Sequence, residues 1–135
     1  MVKEVFGDFL EKWEHIVAYP NSSALKGLLA DDVVFYSPVV HTPQEGKSLT
    51  SMYLTGATQA LTNEFVYKKK IIDGLNGVLE FARMIDDIQV EGVDIIALNE
   101  EGKVKSFKVM IRPLKAVHKI HEKMGELLTQ MSTTK

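Results

Sequence analysis

The chain has 135 residues, 45% of them hydrophobic and 25% charged, with a net charge of −2 and no cysteine. That is enough for one domain with a real core, and close to the average of globular proteins. No basic excess points to a nucleic-acid partner, the missing cysteine excludes disulfides and thiol ligands or nucleophiles, and no apolar run approaches the roughly 18 residues of a membrane span. The first residues, MVKEVFGDFLEKW, carry acids inside their apolar stretch and so do not read as a signal peptide. A cytoplasmic protein with no nucleic-acid and no membrane partner is the expectation.

Lys3–Ala18 sets Val5, Phe6, Phe9, Leu10, Trp13, Ile16 and Val17 at helical spacing, which predicts an amphipathic helix ended by Tyr19–Pro20. Asn21, Ser22 and Ser23 offer caps for a short second helix over Ala24–Ala30. Val33–Ser37 is β-branched and aromatic and reads as a strand. A third helix is predicted over Thr42–Leu61, with Pro43 in its first turn and Thr42 and Glu45 at capping-box spacing. Four strand-like segments follow: Phe65–Ile72, Gly77–Ile85, Gly92–Asn99 and Lys103–Pro113. Asn99–Gly102 is a hairpin turn, and Asp86–Glu91 is a shorter link between the two strands before it. Leu114–Met131 is a final helix with Val117, Ile120, Met124, Leu127, Leu128 and Met131 in one stripe, and Ser132–Lys135 is a frayed tail. Helices segregated from an antiparallel run of strands mean an α+β fold. The sheet is expected to curl round the N-terminal helix, in a single domain over 1–135 with its core at about 3–113.

Three words in this order resemble the nuclear transport factor two-like superfamily, the α+β cone of ketosteroid isomerases and SnoaL-like polyketide cyclases. They are LLADDVVFYSP, EGKSLTSMYL and VDIIALNEEGKVKSFKVMIRP. The resemblance spans Phe6 to Pro113, and the ending MIRPLKA plus a helix resembles a SnoaL-like subgroup. It implies a curved antiparallel or mixed sheet, an apolar conical pocket for a small apolar or carbonyl-containing ligand, and a homodimer through the outer sheet face. That face would carry Ser106, Lys108, Met110 and Arg112. No cofactor is implied.

Carried over residue by residue, the isomerase pattern keeps one of its three polar groups. Trp13 stands where the helical tyrosine would be, Ser37 where the base aspartate would be, and Asp94 on the second aspartate. A serine accepts no proton at neutral pH without a neighbouring base, which argues against the steroid isomerase mechanism. Asp94 lies in an apolar strand; facing the cone it is a neutral acid, and otherwise it sits at a rim or pairs with Arg83 on the neighbouring strand. His41, after the strand, is either a general base at the mouth or a solvated loop histidine. Asp94 and His41 are thus the candidate catalytic pair. The candidate ligand-binding residues are Trp13, Phe35, Ser37, Tyr53, Phe81, Arg83, Phe107, Val109 and Ile111. His118-x-x-His121-Glu122 has a metal-ligand spacing, but helical rotation spreads the three from the edge of the apolar stripe to the polar side, so no metal is expected. Three readings stand: a small-molecule-binding protein, a cyclase or isomerase using Asp94 as acid and His41 as base, and a protein-interaction module.

Overall fold

The computed structural model describes residues 2–60 and 66–133. The first helix, α1 (Val2–Ala18), buries Phe6, Phe9, Leu10, Trp13, Ile16 and Val17 along one stripe. The periodicity of the sequence is therefore also the face the helix turns toward the core. Asn21 caps α2 (Ser22–Gly27) by accepting the Ala24 N–H at 3.0 Å. The cap sits two residues earlier than a start at Ala24 would need, and the helix ends before Leu28.

The strand β1 then begins at Leu29, four residues sooner than its β-branched run suggests, and ends at Tyr36. The predicted helix over Thr42–Leu61 starts late. Gln44–Glu45 form a short strand, β2, against Phe35 and Val34, and α3 spans Lys47–Ala60. Gly46 makes the difference: its N–H donates to the Val33 carbonyl at 2.8 Å, and its φ of +97° turns the chain from strand into helix. Thr42 and Glu45 form no capping box; the Thr42 carbonyl accepts from the Gln44 side chain.

The strands β3 (Val66–Asp73), β4 (Asn76–Ile85), β5 (Ile88–Leu98) and β6 (Val104–Arg112) form a meander, followed by α4 (Leu114–Thr133). The link predicted over Asp86–Glu91 shrinks to two residues. Asp86 and Asp87 have φ of 47° and 70°, the left-handed pair of a tight hairpin turn, which aspartate tolerates better than most residues. Asp86 also faces Lys119 and Lys123 of α4 at 3.5 and 3.2 Å, and Lys123 holds its carboxyl below the usual range. Leu61, Phe65 and residues 134–135 lie outside the described residues, as do the side chains of Leu127, Leu128 and Met131.

The described residues form one mixed sheet of order β2-β1-β6-β5-β4-β3, in which β1 runs parallel to β6 and every other pair is antiparallel. One core cluster joins α1 to β1, β4, β5 and β6; a second joins Phe81, Ile85 and Val90 to Ala116, Ile120 and Met124 of α4. Between them the curved sheet, α1, α3 and α4 enclose the interior of a cone. Gly92 on β5 is what lets the Phe81 ring lie against the strand opposite. A Cβ there would sit 2.6 Å from both the Met110 carbonyl oxygen and the Phe81 ring. Gly92→Ala is therefore expected to destabilise the protein by about 1–3 kcal/mol, read from its urea midpoint; an unchanged midpoint would refute this packing.

Candidate functional site

The interior of the cone holds a cavity of about 660 Å³, counted with its open mouth. Its wall is apolar almost throughout. Of the residues marked from the sequence, Trp13, Phe35, Ser37, Phe81, Asp94, Phe107, Val109 and Ile111 line it. Sequence reasoning missed the contributions of Leu54, Ala57 and Thr58 on α3 and of Ile120 and Met124 on α4. These are apolar or small residues at helical spacing, a signal that core and cavity wall share.

Asp94 is the polar centre. It faces inward from β5 opposite Leu79, and only 5% of its surface is exposed. The Tyr67 hydroxyl, from β3, donates to Asp94 Oδ2 at 2.6 Å, and the Trp13 indole N–H donates to the same Tyr67 oxygen at 2.6 Å. Three elements thus converge in one chain of hydrogen bonds. Burial pushes the Asp94 carboxyl up to about 7, although the bond from Tyr67 works in the opposite direction. Burial first, and the neighbouring Asp94 second, push the Tyr67 phenol well above its ordinary value. Near neutral pH the site therefore exchanges between a carboxyl that donates a hydrogen bond and a carboxylate that only accepts.

Tyr67 was not among the sequence candidates. Plain alternation back from Ile72 through Lys70 would turn Lys68 inward and Tyr67 outward. A bulge at Lys68 inserts one extra residue, since Lys69 pairs with Glu80 while Tyr67 already pairs with Phe81. The bulge swings the tyrosine into the cone and the lysine out of it.

Three other candidates stand away from the cavity. Arg83 lies opposite Val90 rather than Asp94, and its Nε and Nη2 donate to the Met84 carbonyl at 3.4 and 3.3 Å; the hydrogen-bond partner of Asp94 is Tyr67. Tyr53 packs its ring 5.9 Å from that of Phe35, within the core. His41 is exposed, in a surface groove beside the cavity. Ser37 reaches the wall, but its oxygen accepts the Val39 and Val40 N–H groups at 3.1 and 3.3 Å, which folds the loop after β1. His118 and His121 are exposed, and among the described residues no three potential ligands gather to hold a metal. Nor, among those residues, is any helix long and apolar enough to cross a membrane.

No protein-family profile and no curated protein matches the chain. Solved structures do. A steroid delta-isomerase from Pseudomonas aeruginosa superposes with a TM-score of 0.89 at 30% identity, over 96% of this chain and 96% of that one. The chain belongs to the nuclear transport factor two-like superfamily. A bacterial protein of cystatin-like fold from Silicibacter pomeroyi superposes on this member with a TM-score of 0.83 at 28% identity, over 93% and 86% of the two chains. An NTF2-like protein of unknown function from Mesorhizobium loti, at 14% identity and a TM-score of 0.71 over 82% and 93%, shares the fold.

Proposed function

We propose that this superfamily member is a small-molecule-binding protein whose ligand occupies the apolar cone and accepts a hydrogen bond from the protonated Asp94 carboxyl. The observation that carries the reading is a buried carboxyl in an otherwise apolar cavity wall, aimed by a tyrosine that is itself held by an indole. Apolar cavities with a few placed polar groups are the usual form of small-ligand sites. A neutral carboxyl in such a place suits a carbonyl oxygen, whereas a carboxylate repels it.

The reading predicts a sign for pH. With Asp94 titrating at about 7, the donor form fades as pH rises. A neutral bicyclic ketone such as β-tetralone is expected to bind about 10-fold more weakly at pH 8 than at pH 5, because the competent form is then about a tenth of the total. Emission from Trp13, the single tryptophan and part of the cavity wall, reads the binding. Equal affinity at the two pH values would sink the hydrogen-bond role of Asp94.

A second reading, an isomerase- or cyclase-type enzyme, is favoured by the 30% identity to a steroid delta-isomerase along nearly the whole chain. Asp94 would be its acid. His41, its candidate base, would have to act from the neighbouring groove. Conversion of a β,γ-unsaturated ketone to its conjugated isomer, followed by absorbance, tests this; turnover unaffected by Asp94→Asn would remove the acid. We also propose a homodimer across the outer sheet face on its β3–β4 side, where Ile71 and Met84 are half exposed or nearly so. Sedimentation showing a monomer at high concentration would rule it out.

A further inference from the structure

We propose that the cavity opens sideways through a notch in the sheet, and that the notch carries a second subsite for a carboxylate, so that the ligand is an apolar acid held with its charged end at Lys108. This deepens the small-molecule reading and rests on it.

The notch follows from strand lengths. Strand β1 stops at Tyr36, which pairs with Lys108, while β6 runs on to Arg112. On that side of β6 the sheet order provides β1 as the neighbour, so among the described residues β6 beyond Lys108 presents an edge without a strand partner. The loop after β1 lies against this edge. A surface groove of about 950 Å³, counted with its open side, lies here, and it shares Ser37, Pro38, Val109 and Ile111 with the cavity. Groove and cavity therefore have one wall in common, made by Ser37 and Pro38 of the loop after β1 and by Val109 and Ile111 at the unpaired end of β6.

Charge then orders the two ends. The groove residues that the cavity does not share are Tyr36, Val40, His41, Pro43, Lys108 and Met110, with Lys108 the cation among them. The Lys108 ammonium stands 4.9 Å from the centre of the Tyr36 ring, a cation–π contact that holds it over the groove. Among the described residues no acid lines this groove, and Lys108 has no carboxylate partner. The one acid on the joined surface is Asp94, deep in the cavity. An anion is thus favoured at the mouth and disfavoured inside, while an alkyl or ring body is favoured inside. A ligand with an apolar body and one carboxylate meets both conditions in a single orientation.

Decanoate and decanol, matched in chain and different in charge, separate the possibilities. Each is titrated below its micellar concentration at low salt into the parent protein and Lys108→Glu, with Trp13 emission as the readout. Expected is binding of both by the parent, with Lys108→Glu weakening decanoate about 5-fold and leaving decanol unchanged. About 0.5 M sodium chloride is expected to narrow the difference between the two proteins. An equal effect of Lys108→Glu on both ligands, or no effect on decanoate, overturns the subsite and leaves the cavity as a ligand site. Failure of both ligands to perturb Trp13 in the parent overturns the cavity reading and the subsite with it.

Discussion

Asp94→Asn is expected to make the protein more stable above pH 8 and to leave it nearly unchanged near pH 4. The carboxyl titrates at about 7 in the folded chain and at 3.8 when free of it. Between those values the folded state holds the proton and the unfolded state has lost it. Stability therefore falls as pH rises through this window. Below about 4 both states are protonated and the group costs nothing; above about 7 the folded state must bury a charge. Raising the carboxyl from 3.8 to about 7 corresponds to on the order of 4 kcal/mol. Asparagine nearly matches the neutral acid in shape, still accepts the Tyr67 hydroxyl, and never ionises. Urea titrations of parent and variant at pH 4 and pH 8.5 measure the effect. If the gap between the two proteins is the same at both pH values, Asp94 does not carry the buried charge argued here.

Tyr67→Phe is expected to act on the same site from the other side. Its hydroxyl accepts from Trp13 and donates to Asp94, so its loss takes a partner from each of two buried groups. Leaving a buried polar group unpaired costs about 1–3 kcal/mol, which puts the total for two at about 2–6 kcal/mol. The bond from Tyr67 is also what draws the Asp94 carboxyl downward against burial. Without it the Asp94 midpoint rises further above about 7, which carbon-13 titration of the carboxyl would follow. A midpoint that stays in place or falls would contradict the hydrogen-bond chain, whatever happens to stability. Combining Tyr67→Phe with Asp94→Asn is expected to cost less than the sum, because the two residues share one bond.

Much of this was legible in the chain. Period 3.6 marked α1 and α4, and the β-branched runs and the turn at Asn99–Gly102 marked the later strands. Asp94 stood out because an acid in an apolar strand needs an explanation, and Trp13 because it lies on the buried stripe of α1. What escaped depended on events that leave little trace in composition. The bulge at Lys68 reversed the two faces of β3 and hid Tyr67 behind a run of lysines. Gly46, inside the helix predicted over Thr42–Leu61, instead switches strand to helix and delays α3. Two aspartates in left-handed conformation closed a hairpin where a longer link was expected. Each is a local backbone choice stabilised by pairing elsewhere in the sheet, which a periodicity argument does not register.

The parallel pairing of β1 with β6 also fixes when the protein can exist as such. The opening strand, Leu29–Tyr36, finds its sheet neighbour in the last one, Val104–Arg112. A chain emerging from the ribosome can close the hairpins of β3 to β6 one after another from nearby residues, but β1 must wait for its parallel partner until Val104–Arg112 has been made. Contacts so distant along the chain are entropically slow to form. In the meantime Phe6, Phe9, Leu10 and Trp13, later the floor of the cone, face water. Commitment to this fold thus waits for Val104–Arg112, however early Leu29–Tyr36 has been made.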